Sequence, residues 1–155
     1  MMPFASGIKL RNRPSLCNYY LTYRCNARCD FCDIWERPSP YASPEAVWAN
    51  LLDLKRLGVK VIDFTGGEPL LHRELGTYLE WAKKLGFVTT VTSNALLYPK
   101  YARSLAGKVD MLHFSLDFPD AERHNASRGV DCYGHVMESI RVSAELGERP
   151  DILYT

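Results

Sequence analysis

Three cysteines stand within eight residues of one another, in the run CNARCDFC that begins at Cys25 and continues through Cys29 to Cys32. Thiolates at that spacing reach one small inorganic centre from a single loop, and clustered soft ligands point to metal ligation in a reducing compartment rather than to disulfides. A 4Fe–4S cluster usually takes four cysteines, and the chain has two others, Cys17 and Cys132. Cys17 precedes Cys25 by eight residues on a predicted strand, which puts it up to about 26 Å away at about 3.3 Å per residue. Cys132 follows the fourth predicted strand, and sequence distance leaves it open as a fourth ligand. The simpler reading is three loop ligands around a cluster with one open iron. The competing reading is a structural zinc site completed by His72 or Asp33. Structural zinc more often joins two separate two-cysteine knuckles, and there is no second knuckle in the sequence.

Three further clusters of small and polar residues recur downstream. Residues 65–69 read TGGEP, residues 92–94 read TSN and residues 115–117 read SLD. Gly66 and Gly67 let backbone approach a ligand closely, and Glu68 offers a carboxylate to an ammonium group. Ser93, Asn94, Ser115 and Asp117 supply hydroxyl, amide and carboxylate partners, a set suited to a zwitterion that carries a ribose. Singly, each cluster has a plainer explanation as a tight turn, a helix cap or a turn initiator.

The elements that must position these groups follow a regular rhythm. Strand-like runs begin near Leu16, Lys60, Phe87, Met111 and Asp151, with helical stretches predicted at 44–57, 74–85, 99–106 and 133–146 between them. Ser43 and Pro44 open the first helix as cap and first residue, and Val47, Leu51, Leu54 and Leu57 form its apolar stripe. Leu75, Tyr78, Leu79 and Ala82 line the second helix, and Val136, Ile140 and Ser143 the last. Strand and helix in alternation mean β/α units around a parallel sheet, with strands apolar on both faces. Barrels and doubly wound sheets both fit that pattern. All four polar clusters then fall at the C-terminal ends of strands, the edge where parallel α/β structures bind ligands. Core packing has no reason to put them there.

A net charge of +1 argues for neither a nucleic-acid nor a membrane partner. No apolar run approaches the roughly 20 residues of a membrane helix, and the N-terminal residues lack a signal-peptide core, so a cytoplasmic location is expected. His113 faces either the barrel interior or the core. Tyr19, Tyr20, Tyr23, Trp48 and Trp81 read as packing, and His72 as a lead into the second helix.

With these motifs in hand, the sequence resembles the radical S-adenosylmethionine (radical SAM) superfamily from about Leu16 onward. The cysteine loop matches its CxxxCxΦC signature, with Phe31 as Φ, and GGEP matches its glycine-rich motif. The resemblance implies a 4Fe–4S cluster on Cys25, Cys29 and Cys32 whose open iron chelates the amino and carboxylate groups of SAM. It implies Phe31 near the adenine, and Gly66, Gly67 and Glu68 at the methionine amino group. Ser93, Asn94, Ser115 and Asp117 would serve the methionine and ribose, and Arg128, in the loop after SLD, the SAM carboxylate. The implied chemistry is reductive cleavage of SAM, with electrons from ferredoxin or flavodoxin, to a 5′-deoxyadenosyl radical that takes hydrogen from an unknown substrate.

The expected fold class is therefore α/β, a parallel β/α partial (TIM-like) barrel with about four and a half units, comprising an N-terminal extension over 1–15 and a core over 16–155. A full eight-unit barrel takes about 250 residues, and family members usually have six units. The chain accordingly reads as the N-terminal part of a longer protein, or as one that needs a partner, with an incomplete SAM site. A noncatalytic iron–sulfur or zinc module and an inactive truncated copy are the alternatives to an enzyme.

Overall fold

Alternation within the strands decides the architecture. In the computed structural model, which describes residues 13–155, β2 (Val61–Gly66) buries Ile62 and Phe64 on one face and leaves Val61, Asp63 and Thr65 half-buried on the other. β4 (Met111–Ser115) repeats this, with Leu112 and Phe114 buried and His113 and Ser115 half-buried. β1 (Leu16–Thr22), β3 (Val88–Ser93) and β5 (Asp151–Leu153) complete a five-stranded, wholly parallel sheet in the order β1-β2-β3-β4-β5. A doubly wound sheet reverses its strand order at a switch point. The order here follows the chain without reversal, which is the wall of a barrel. Residues 1–12 of the expected N-terminal extension lie outside the described residues.

Helices cover only the apolar face. α1 (Pro44–Leu57) starts where Ser43 Oγ accepts the Ala46 amide at 3.2 Å, and it ends at Gly58 with φ of 86°. It buries Val47 and Leu51, packs Leu54 partly against the core and leaves Leu57 exposed, one turn short of the expected stripe. α2 (Leu75–Lys84) buries all four predicted residues. α3 (Tyr98–Leu105) adds Tyr98, Ala102 and Leu105, and α5 (Tyr133–Glu145) adds Val136, with Ile140 partly buried. Each large side chain buried here contributes about 1.5–3 kcal/mol.

Two expectations are corrected. The strands are apolar on one face only, because Asp63, Thr90, Thr92 and His113 form a polar row on the other. Thr90 and Thr92 donate to the Asp63 carboxylate at 2.6 and 3.0 Å, and Thr92 Oγ1 lies 3.2 Å from His113 Nδ1. Second, the segment after SLD holds a helix, α4 (Ala121–Arg128), capped by Asp120 and ended by Gly129. Its sequence, AERHNASR, has no apolar period to reveal it.

Candidate cluster and cofactor site

The cysteine loop leaves β1 and is held on both flanks by backbone. On one flank, the Gly67 amide donates to the Thr22 carbonyl and the Glu68 amide to the Arg24 carbonyl, each at 2.8 Å. A Cβ on Gly66 would stand 2.2 Å from the Thr22 oxygen, and one on Gly67 would stand 2.2 Å from the Arg24 oxygen. Only glycine permits that approach, and for Gly66 the φ of 128° demands it as well. The partner that the two glycines let near is thus the loop's own backbone, while both still line the cavity beside the cysteines.

On the other flank, the amides of Arg28 and Asp30 donate to the carbonyls of Arg128 and Ser127 at 2.9 and 3.1 Å. These are terminal carbonyls of α4, which lack partners within their own helix. Gly129 follows with φ of 63°, and a Cβ there would meet the Arg28 oxygen at 2.3 Å. A sharp turn, in which the Cys32 amide donates to the Cys29 carbonyl at 3.2 Å, closes the loop.

The cavity so framed is lined by Cys25, Cys29, Cys32, Phe31 and Trp35 from the loop side, and by Thr65, Gly66, Gly67, Thr92, Ser93, Asn94, Ser115 and Arg128 from the strand ends and α4. Ten of the twelve residues expected at the site, counting the three thiols, line this cavity, and only Glu68 and Asp117 stand behind its wall. Two thiols receive side-chain donors. Asn94 Nδ2 lies 3.7 Å from Cys25 Sγ and donates to Asn26 Oδ1 at 2.8 Å, and Arg128 Nη1 lies 3.7 Å from Cys29 Sγ. Burial raises both thiols above the ordinary cysteine value, while the Ala27 amide and Asn94 draw Cys25 back and Arg128 draws Cys29 back. Donors aimed at sulfur are the environment that favours thiolate ligands.

Glu68 and Asp117 do not line this cavity. Glu68 is fully buried: Oε1 accepts from the Leu70 amide and Ser93 Oγ, both at 2.9 Å, and Oε2 from the Asn94 amide at 2.8 Å. Burial pushes its carboxyl up to about 7, against the opposing pull of those donors. Asp117, also buried, pairs through Oδ1 with Arg128 Nη2 at 2.6 Å and with the Thr155 amide at 3.2 Å. Both carboxylates therefore position their neighbours on the cavity wall.

The remaining candidates stand apart from the thiols. Cys132 is buried beneath the start of α5 and Cys17 sits half-buried on β1, and neither lines the cavity. His72 is packed structurally, with Nε2 3.0 Å from the Ala42 carbonyl and Nδ1 accepting the Glu74 amide, and Asp33 is paired with Arg37 at the surface. Among the described residues, no three His, Cys, Asp or Glu side chains converge tightly enough for a single metal ion. A mononuclear zinc needs all its ligands at about 2.0–2.3 Å from one point, whereas a cubane takes each thiolate on a separate iron. Three thiols from one loop, two of them facing side-chain donors, are a donor set that fits the cluster. Sequence reading missed Asn26 and the α4 clamp. Of the aromatic residues read as packing, Tyr20, Tyr23 and Trp48 are exposed.

Fold and site together define a partial-barrel protein whose strand-end edge carries a three-thiol cluster loop beside a polar cofactor pocket. The chain belongs to the radical SAM superfamily, whose family model matches residues 19–153. A protein named "Probable GTP 3',8-cyclase" from Saccharolobus islandicus is 31% identical over 135 residues, covering 84% of this chain and 44% of that protein. The S-adenosylmethionine-dependent nucleotide dehydratase RSAD2 of Siniperca chuatsi is 30% identical over 130 residues, covering 79% of this chain and 37% of its own. Among solved structures, Streptococcus suis SuiB bound to S-adenosylmethionine superposes with a TM-score of 0.75 at 25% identity, over 90% of this chain and 33% of SuiB. The chain thus spans less than half the length of these relatives. Membership of the superfamily brings a 4Fe–4S cluster and SAM as cofactors.

Proposed function

We propose that this chain forms the radical-generating core of a radical SAM enzyme, with Cys25, Cys29 and Cys32 as cluster ligands. The observation that carries the reading is the single cavity shared by three thiols from one loop and the polar ends of β2, β3 and β4. A 4Fe–4S cluster held by Cys25, Cys29 and Cys32 would supply the one-electron reduction that cleaves SAM to methionine and a hydrogen-abstracting 5′-deoxyadenosyl radical. The chain's own residues bind and orient. Gly66, Gly67 and Ser93 would line the methionine end, Asn94 and Ser115 the ribose, and Phe31 the adenine. Glu68 and Asp117 act through the residues they hold, Ser93 and Asn94 for the first and Arg128 for the second.

We also propose a ferredoxin- or flavodoxin-type donor and a cytoplasmic location, which suit a cluster that must stay reduced and thiols that must stay free. Among the described residues no helix is long and apolar enough to cross a membrane. Substrate is expected over the open polar face of the sheet, where Asp63, Thr92 and His113 offer hydrogen-bonding groups. The test is anaerobic reconstitution of the natural-length protein followed by SAM and dithionite. Release of 5′-deoxyadenosine supports the reading, and its absence at full iron and sulfide content overturns it.

A further inference from the structure

Arg128 occupies a costly position. It terminates α4, its side chain is buried, and its guanidinium touches three different groups: Asp117 Oδ1 at 2.6 Å, Cys29 Sγ at 3.7 Å and the face of the Phe31 ring at 5.3 Å. Its Nε is buried with no partner among the described residues, as is Asp117 Oδ2. A buried ion pair with unpaired atoms contributes little to stability, because desolvation offsets the attraction. Its place beside a ligand sulfur therefore calls for another explanation.

The electrostatics of the loop provide one. α4 points its C-terminal carbonyls at the cysteine loop, where they accept from Arg28 and Asp30. That brings the negative end of a helix dipole next to a group of thiolates. Reducing a cluster there adds one more negative charge to a half-buried site. Potentials of iron–sulfur centres respond to hydrogen bonds at sulfur and to nearby charge. Among the described residues Arg128 is the one cation in the cavity wall, and it meets both conditions at Cys29.

We infer that Arg128 is a redox-tuning residue, which raises the reduction potential of the cluster through its contact with Cys29, and that Asp117 is the positioning residue that aims and partly offsets it. This rests on the cluster assignment proposed above and deepens it. It stands beside the expectation drawn from the family resemblance, since Nη1 and Nη2 each spend one N–H on sulfur or carboxylate and keep a second that these contacts do not use. The Phe31 ring face, 5.3 Å from the guanidinium carbon, gives the charge a further attractive contact.

The two groups predict shifts of opposite sign. In the reconstituted natural-length protein without SAM, the midpoint potential is read by EPR-monitored dithionite titration. Arg128→Gln should lower it, leaving about tenfold less reduced cluster at a given potential, which for one electron is about 59 mV. Asp117→Asn should raise it, because the positive charge beside Cys29 is then uncompensated. Arg128→Lys keeps the charge but loses the fork, and should fall between the wild type and Arg128→Gln. If Arg128→Gln fails to take up iron and sulfide, the Lys and Asn variants carry the comparison. An unchanged midpoint in loaded Arg128→Gln, or shifts of the same sign for the Arg128 and Asp117 variants, overturns the inference. So does weakened SAM binding by equilibrium dialysis with no movement of the SAM-free midpoint, which would assign Arg128 to the cofactor instead. Failure of the wild-type protein to form a 4Fe–4S cluster would overturn the cluster assignment itself, an outcome distinct from all of these.

Discussion

Replacing Glu68 by glutamine should make the stability of this fold respond to pH in a new way. Burial holds the Glu68 carboxyl at about 7 against an ordinary value of 4.5. Between those values the folded chain keeps a proton at Glu68 that the unfolded chain has released, so raising the pH costs stability. The contribution is complete below pH 4.5 and lost as the pH rises through 7. At 1.36 kcal/mol per pH unit the gap is worth about 3 kcal/mol. Glutamine removes this titration. Its carbonyl takes the place of Oε1, which accepts two donors, and its amide NH2 then faces the Asn94 amide where Oε2 accepted it. A buried N–H left opposite another donor costs about 1–3 kcal/mol. Urea unfolding of the metal-free, thiol-reduced protein, followed by tryptophan fluorescence, reads both effects. Glu68→Gln should be less stable than wild type by about 2 kcal/mol at pH 5, and that deficit should vanish or invert by pH 8. A deficit that stays constant or grows from pH 5 to pH 8 would refute the reasoning, because the three donors would then have kept Glu68 ionised throughout.

Alanine at Cys25, Cys29 or Cys32 should abolish the visible sulfur-to-iron absorption of the reconstituted protein, while alanine at Cys17 should leave it intact. Gly67→Ala drives a Cβ to 2.2 Å from the Arg24 carbonyl and should cost about 3 kcal/mol in urea unfolding, near the upper range for overpacking. Gly129→Ala combines a left-handed φ of 63° with a Cβ 2.3 Å from the Arg28 oxygen. The αL strain alone is worth about 1–2 kcal/mol, and undocking α4 from the loop should show as lower iron content per chain after identical reconstitution. Tyr98→Phe removes the hydroxyl that donates to Glu148 and should cost about 1 kcal/mol of thermal stability without changing iron content.

The legible parts of this protein were those written in contiguous sequence. The cysteine loop reads directly because its three thiols share one turn of chain, and α1 and α2 read because their apolar residues keep a helical period over ten residues or more. α4 escaped because AERHNASR buries only His124 and Arg128, polar residues that a hydrophobic period does not count. Its start and stop, Asp120 and Gly129, were the available signals. The opposite face of the sheet escaped for a related reason: Thr90 and Thr92 sit in a strand whose β-branched character is satisfied equally by core and by a polar row.

The harder part to read was the cause behind each residue. GGEP stands out as glycines and a carboxylate at a strand end, which suggests contact with a ligand. In the fold, the glycines first admit the backbone of the cysteine loop, and the carboxylate first meets Ser93 and Asn94, which lie 25 and 26 residues further along the chain. Partners at that separation are chosen by strand register and cannot be seen in a local motif. Asp117 and Arg128 repeat the pattern on the other flank. The motif residues therefore fall into two layers, one that faces the cavity and one that holds the first in place. Substitutions in the second layer should register as lost cluster loading or altered potential before they register as lost SAM affinity. Measuring iron content, midpoint and SAM binding on the same variant separates the two layers, which activity alone would merge.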